Sequence, residues 1–178
     1  SSDLGSTCEK EFNGEQLARQ GVVVVSIAYR LNVFGFFAHA MLEKEAVDGR
    51  PCANFGFLDQ RMGIQWVKDN IALFGGDPAN ITVFGQSAGA ASALAQSVSP
   101  MNDGLFQRVI MQSGGGTGLF NRHLWSLEDA QRNGARFLKY LEVESIAEAR
   151  SVPATDLLEA AVTFPACDWS GQGDDVVW

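Results

Sequence analysis

A serine flanked by two glycines is the residue in this sequence best placed to do chemistry. Ser87 lies in the pentapeptide Gly85-Gln86-Ser87-Ala88-Gly89, after a β-branched and aromatic run and before a stretch of small residues. This layout predicts a strand that turns sharply into a helix, the G-x-S-x-G arrangement known as a nucleophile elbow. Such a turn holds the serine hydroxyl out from the end of a sheet, where it can attack an acyl carbon.

The residues beside Ser87 have predicted roles of their own. Gly85 and Gly89 are expected to let the helix approach the strand, because a Cβ at either position would collide with the opposite backbone. Ala88 is expected to direct its N–H from the helix N-terminus toward the reacting carbonyl, as an oxyanion-hole donor. Glycine and serine are abundant in this chain, so the pattern alone is weak. The alternative is an ordinary strand-to-helix turn with an incidental serine.

Strands and helices are predicted to alternate around this motif. The hydrophobic pattern predicts strands at 22–29 and 106–112 in addition to the one that ends at the motif, and helices at 58–74 and 88–98. Residues 22–29 form a nearly continuous apolar run, so both faces of a strand there would be apolar. This is typical of a strand buried between layers of helices. The order predicts an α/β fold with a mostly parallel sheet covered by helices.

The pattern changes after the last predicted strand, because helices are then predicted without strands. Ser126 and Ser145 each stand three residues before an acidic residue, which is the spacing of a helix-capping box. We therefore predict a single partial domain over residues 1–178. It consists of a sheet-and-helix core at 1–116 and a helical segment at 117–178.

The composition argues against several classes of function. The chain has 178 residues, 46% of them hydrophobic, and a formal net charge of −8. This acidity gives no electrostatic support for binding nucleic acid. No apolar run approaches the roughly 20 residues needed to cross a bilayer. No targeting or transmembrane segment is predicted within the chain, and its localisation and oligomeric state stay open.

No metal or organic cofactor is predicted. Cys8, Cys52 and Cys167 are widely spaced and form neither a CxxC motif nor a cluster with histidine. An odd number of cysteines cannot form a complete disulfide framework within the chain, so the redox compartment stays open.

Three longer segments resemble the type-B carboxylesterase and cholinesterase family of α/β-hydrolases. They are VVVVSIAYRLNVFGFF, NFGFLDQRMGIQWVKDNIALFGGDPANITVFGQSAGAAS and LFQRVIMQSGG. The resemblance implies a fragment of an α/β-hydrolase fold from a serine carboxylic-ester hydrolase that acts on a small-molecule ester through an acyl-enzyme. It implies that Ser87 is the nucleophile and that Ala88 supplies an oxyanion-hole N–H.

The resemblance also implies that parts of the catalytic machinery lie outside the chain. The glycine-rich oxyanion loop is expected before residue 1, and the triad acid and histidine are expected after residue 178, because the order in this fold is Ser, acid, His. The chain alone is then expected to be inactive.

Three further positions are candidates for the site. Gln86 stands where family members usually carry glutamate, which makes a cationic, choline-type substrate less favourable and favours a neutral ester. Ser113 either forms a hydrogen bond behind the triad, as its counterpart does in the family, or is a turn serine. Phe120 either lines an acyl pocket or packs in the core.

Neither histidine of the chain is expected to be the catalytic base. His39 precedes the nucleophile, against the order of the fold, and lies near two phenylalanines, where a structural role is expected. His123 follows the strand after the motif, where some α/β-hydrolases place the acid. Two other functional classes remain as alternatives. One is a non-catalytic, esterase-like adhesion or binding domain, and the other is a different acyl hydrolase such as a lipase, thioesterase or peptidase.

Overall fold

The computed structural model of the chain describes residues 12–46, 52–114 and 126–164. In chain order its elements are helices α1 (Glu15–Ala18), α2 (Asn32–Phe36), α3 (Ala40–Glu45) and α4 (Phe55–Asn70), a 3₁₀ turn (Ile71–Phe74), strand β1 (Thr82–Gln86), helix α5 (Ala88–Val98), a second 3₁₀ turn (Pro100–Asn102), strand β2 (Arg108–Gln112), and helices α6 (Leu127–Tyr140), α7 (Ile146–Ala149) and α8 (Ala154–Thr163).

These elements form two compact units. The first unit contains the described residues up to Tyr29 and those from Gly56 to Gly114, and the second contains those from Arg30 to Phe55 and from Ser126 onward. The predicted organisation as one partial domain stays a prediction.

A parallel pair of strands with a helix on one face is the centre of the first unit. β1 and β2 pair in register, with Thr82 opposite Arg108 and Gln86 opposite Gln112. Helix α5 connects the two strands in sequence and packs against both. Gly85 faces this helix, whereas Phe84 points to the other face of the sheet and is 50% exposed. The predicted parallel pairing and strand–helix–strand order are confirmed.

The strand predicted at 22–29 is wrong. These residues pair with no strand in the described part of the chain, and Val22 and Val23 remain 54% and 46% exposed. A strand is defined by hydrogen bonds to a neighbouring strand, so a β-branched run without such a neighbour stays unpaired. The segment instead contacts α4, where a Cβ added to Gly63 would lie 2.6 Å from the Cγ2 of Ile27.

The predicted helix at 58–74 is confirmed with a different beginning. α4 begins at Phe55 and continues through Asn70 into the 3₁₀ turn that ends at Phe74. Gly75 follows with φ 81°, in the left-handed region that glycine adopts at helix ends at little cost.

Helices are the only regular elements among the described residues of the second unit. Its hydrophobic core contains Val33, Phe137, Ala161 and Phe164, and the rings of Phe137 and Phe164 pack edge to face with centroids 5.3 Å apart. These contacts join α2, α6 and the end of α8.

Both predicted capping boxes begin a helix in this unit. Ser126 Oγ accepts a hydrogen bond from the Asp129 N–H at 3.1 Å, directly before α6. Ser145 Oγ accepts from the Glu148 N–H at 3.1 Å, directly before α7. Each bond satisfies a helix N–H that has no partner within the helix.

Candidate active site

Ser87 lies between the end of β1 and the beginning of α5, at the carboxyl edge of the parallel strands. Its backbone has φ 53° and ψ −120°, a conformation that residues with a side chain rarely adopt. Holding a residue in such a conformation costs on the order of 1–3 kcal/mol, so the surrounding contacts must fix the turn. The predicted strand, sharp turn and helix over residues 81–92 are therefore observed.

Both peptide groups of Ser87 are held by hydrogen bonds. Its N–H donates to the carbonyl of Gln112 at 2.8 Å, which continues the hydrogen bonding between β1 and β2 by one residue. Its carbonyl accepts from the N–H groups of Ala90 and Ala91, at 2.9 and 3.1 Å, and so begins the hydrogen-bond pattern of α5. The half-buried side chain does not cap α5. Within the described residues, the Ser87 hydroxyl is thus committed to no hydrogen bond.

The two glycines of the motif differ in what surrounds them. A Cβ added to Gly85 would overlap the carbonyl carbon and oxygen of Gly89 and lie 2.9 Å from the Ala90 nitrogen. The close approach predicted at Gly85 is therefore observed. The predicted collision at Gly89 is wrong, because a Cβ there would meet nothing within 4 Å. Gly89 contributes its backbone to the contact at Gly85, but the space that its own Cβ would occupy is open.

Ala88 is the first residue of α5 and is 5% exposed. The first N–H groups of a helix have no carbonyl one turn back to bond, so α5 leaves this N–H unused. The helix dipole adds partial positive charge at the same end. The position suits an oxyanion-hole donor, and that role stays a prediction.

The other candidate residues occupy the surrounding edge of the sheet or lie outside the described residues. Gln86 is the last residue of β1 and is exposed. Ser113 follows β2, is exposed, and has φ 54°, so both paired strands end at a serine with a left-handed backbone. The hydrogen bond predicted between Ser113 and the residues behind a triad stays a prediction. Phe120 and His123 lie outside the described residues.

The sequence of the chain matches the model of the carboxylesterase family over residues 3–172. This chain belongs to the carboxylesterase family.

Proteins named as esterases and a lipase are similar to this chain in sequence, and solved esterase structures are similar to it in fold. Para-nitrobenzyl esterase from Bacillus subtilis (strain 168) is 41% identical over 161 residues, which are 89% of this chain and 31% of that protein. Bile salt-activated lipase from Mus musculus is 50% identical over 104 residues, covering 58% of this chain and 16% of that protein. A carboxylesterase structure from Geobacillus stearothermophilus superimposes with a TM-score of 0.78 at 42% identity, over 91% of this chain and 33% of that one.

The predicted fold of this carboxylesterase-family chain, part of an α/β-hydrolase, is confirmed by its similarity to esterase structures. The chain spans about a third or less of the length of these relatives.

His39 has a structural role in this carboxylesterase-family chain. Its Nδ1 accepts a hydrogen bond from the Met41 N–H at 3.1 Å and thereby caps α3. Its ring stacks on Phe37, with centroids 6.1 Å apart and ring planes inclined by 5°. Burial lowers the pKa of His39 below its ordinary value, because a charged imidazolium would lose solvation. The Nδ1 lone pair that caps the helix is available only in the neutral ring.

Acidification is expected to weaken the folded state through His39. The pKa of His39 is lower in the folded chain than in the unfolded chain, so the unfolded state binds more protons between the two values. The contribution to stability is therefore complete above about pH 6.5 and is lost as the pH falls through the folded pKa. Urea unfolding at about pH 7.5 and about pH 5 measures this loss. His39→Asn keeps a capping oxygen and should reduce the pH dependence. An equal pH dependence in both proteins would contradict the assignment.

A buried polar cluster that was not predicted from the sequence orients α5. Gln96 Nε2 donates to the Gln60 Oε1 at 3.0 Å and to the Phe57 carbonyl at 2.9 Å. Asn102 Nδ2 donates to the carbonyl of Gln96 at 2.8 Å. These bonds join α4, α5 and the second 3₁₀ turn, and they satisfy amide groups that would otherwise be buried without partners. A signal was present, since Gln60 stands four residues before Ile64, on the apolar stripe of the predicted helix.

Residues 12–46, 52–114 and 126–164 contain neither a metal-binding cluster nor a membrane-spanning helix. No group of three or more His, Cys, Asp or Glu side chains in these ranges lies close enough together to hold a metal ion. None of the helices in the same ranges combines the length and apolar character required to traverse a bilayer.

Proposed function

We propose that this chain carries the nucleophile of a serine carboxylic-ester hydrolase. The observation that carries the proposal is the strained backbone of Ser87, combined with a hydroxyl that forms no hydrogen bond within the part of the chain that the structure describes. An incidental serine at the beginning of a helix is expected to cap it, because such a cap stabilises a helix by about 1 kcal/mol. Ser87 forgoes that bond, in a chain of the carboxylesterase family.

The proposed reaction proceeds through an acyl-enzyme. The Ser87 oxygen attacks the ester carbonyl carbon while its proton passes to a histidine base, and the carbonyl electrons move onto oxygen. The resulting oxyanion accepts a hydrogen bond from the Ala88 N–H. Collapse of this intermediate expels the alcohol, which takes its proton from the histidinium, and leaves an ester on Ser87. Water, deprotonated by the same histidine, then releases the carboxylic acid and restores the serine.

The histidine base, the triad acid and a glycine-rich oxyanion loop are proposed to belong to a longer protein that contains these 178 residues. The comparison with para-nitrobenzyl esterase supports this, since the chain covers 31% of that protein. The contacts of His39 support it too, because its Nδ1 and its ring are engaged in capping α3 and stacking on Phe37.

A neutral carboxylic ester is the proposed substrate class. Gln86, directly before the nucleophile, carries no charge and is exposed. A glutamate at this position would place a carboxylate beside the reacting groups and favour a cationic substrate through Coulomb attraction. The amide of Gln86 provides no such attraction.

Active-site labelling tests the proposed function. The full-length protein is incubated with a fluorophosphonate, which forms a covalent bond to an activated serine, and the labelled peptide is identified by mass spectrometry. We expect the label on Ser87 and no labelling of the Ser87→Ala variant. A protein that is not labelled, or a label that persists in the variant, would refute the proposal. Absence of labelling would favour a non-catalytic binding domain, because a fluorophosphonate reacts with an activated serine whichever ester the enzyme hydrolyses.

The isolated 178-residue chain is expected to hydrolyse esters no faster than its own Ser87→Ala variant. Removal of a triad base lowers acyl transfer by about 10⁴-fold or more, and each missing oxyanion donor costs about 10² to 10³ in addition. The two proteins are compared spectrophotometrically with an activated phenyl ester. Turnover by the chain that disappears in the variant would show that the base lies within these residues.

A further inference from the structure

Gly114 presses against the back of the turn that holds Ser87. It stands two residues after the end of β2. A Cβ added to Gly114 would lie 2.7 Å from the carbonyl oxygen of Ser87 and 2.9 Å from the Cβ of Ala90. Cβ atoms in proteins essentially never approach other atoms this closely, so any side chain at this position would require its neighbours to move.

Both neighbours of Gly114 are held in place by other contacts. The Ser87 carbonyl is fixed by the N–H groups of Ala90 and Ala91. The Ala90 side chain is completely buried at 0% exposure, on a helix that packs against both strands. Gly114 is not among the described glycines with positive φ, which are Gly21, Gly75 and Gly104. Its requirement for glycine therefore comes from space and not from backbone conformation.

We infer that Gly114 is a positioning residue for the nucleophile, an inference that rests on the function proposed for Ser87. The end of β2 constrains Ser87 in two ways. The carbonyl of Gln112 accepts a hydrogen bond from the N–H of Ser87 at 2.8 Å, and the bare Cα of Gly114 leaves the space that the Ser87 carbonyl occupies. The strained φ of Ser87 depends on both.

A methyl group at position 114 would displace the Ser87 peptide by a few tenths of an ångström, and the hydroxyl would move with it. Catalytic groups must be held within about 0.5 Å of their productive positions, and a displacement of about 1 Å can lower a rate by about 10²-fold. We expect Gly114→Ala to lower the rate constant of acylation of Ser87 by about 10- to 100-fold.

Active-site titration of the full-length protein separates a positioning role from a role in folding alone. An aryl phosphonate with a chromogenic phenolate leaving group gives the number of modified serines as a burst amplitude and the rate constant for attack by Ser87 from its time course. A variant that is partly misfolded loses amplitude but keeps the rate of its folded fraction. A variant with a displaced nucleophile keeps its amplitude and loses rate. Gly114→Ala is expected to show the second behaviour.

Gly63→Ala is the matched control, since Gly63 lies on α4 and not on α5, and the atoms nearest to an added Cβ there belong to the side chain of Ile27, at 2.6 Å. We expect it to keep the wild-type rate constant, whatever its melting temperature. A wild-type rate constant in Gly114→Ala, at any amplitude, would overturn the inference. An unlabelled wild-type protein would instead refute the proposed function of Ser87, so the two failures are distinguishable.

A double variant identifies which neighbour matters. Combining Gly114→Ala with Ala90→Gly removes the contact with the Ala90 methyl group but leaves the 2.7 Å contact with the Ser87 carbonyl oxygen. We expect the rate constant to stay low relative to that of Ala90→Gly alone, because the Ser87 peptide is still displaced. Full recovery of the rate constant would show that crowding against the Ala90 methyl group had lowered it. That result would overturn the inference that Gly114 positions Ser87.

Discussion

Replacement of Ser87 with alanine is expected to lower kcat/KM for ester hydrolysis by about 10⁴-fold or more in the full-length protein. Without the hydroxyl no acyl-enzyme can form, and water must attack the ester directly. The residual rate then comes from substrate binding and the oxyanion-hole donors alone. Hydrolysis of a chromogenic ester, corrected for the buffer reaction, measures the loss.

Ser97→Ala is the control for this experiment. Ser97 lies on the same helix, is exposed, and donates its hydroxyl only to the Leu94 carbonyl of that helix, at 2.7 Å. Its replacement removes an equivalent hydroxyl group and is expected to change kcat/KM by less than about 2-fold. If Ser87→Ala retained more than about 1% of the activity, the nucleophile would have to be another residue.

Gly85→Ala is expected to destabilise the turn beside Ser87 by about 3 kcal/mol or more. The added methyl would overlap the backbone carbonyl of Gly89, and neither group can rotate away as a side chain could. Relief requires α5 to separate from β1, which breaks the packing that holds Ser87. The midpoint of urea unfolding measures the loss of stability, and active-site titration measures the loss of competent serines.

Gly89→Ala provides the comparison, because the same substitution is made four residues away in an open environment. A Cβ there would meet nothing within 4 Å, and alanine is favoured over glycine in a helix by about 1 kcal/mol. Its unfolding midpoint is therefore expected to equal or exceed that of the wild type. A loss of stability as large as that of Gly85→Ala would contradict the spatial explanation.

Much of the region around Ser87 could be predicted from the sequence because its signals are local. The predicted helix 88–98 is observed as Ala88–Val98, and the predicted strand before it is observed as Thr82–Gln86. A β-branched run, a glycine and a series of small residues determine these elements through contacts between residues close in the chain. The caps at Ser126 and Ser145 were predictable for the same reason.

The failed predictions concern contacts between distant residues. Residues 22–29 have the composition of a buried strand, yet pairing depends on a neighbouring strand at the correct distance and not on the segment itself. Gln60 and Gln96 form a buried hydrogen bond across 36 positions. The place of Gln60 on the apolar stripe of its helix indicates burial, but no local pattern indicates Gln96 as its partner.

By itself, the sequence determined the candidate nucleophile, the order of strand and helix around it, and the membership in the carboxylesterase family, because these depend on residue types at fixed short spacings. Only the tertiary structure decided what each glycine does. Gly85, Gly89 and Gly114 are the same residue type near the same turn, but the direction of the absent Cβ differs at each. A methyl group would meet fixed backbone at two of these positions and open space at the third. That difference arises from how α5 and β2 pack around Ser87, and no spacing in the chain encodes it.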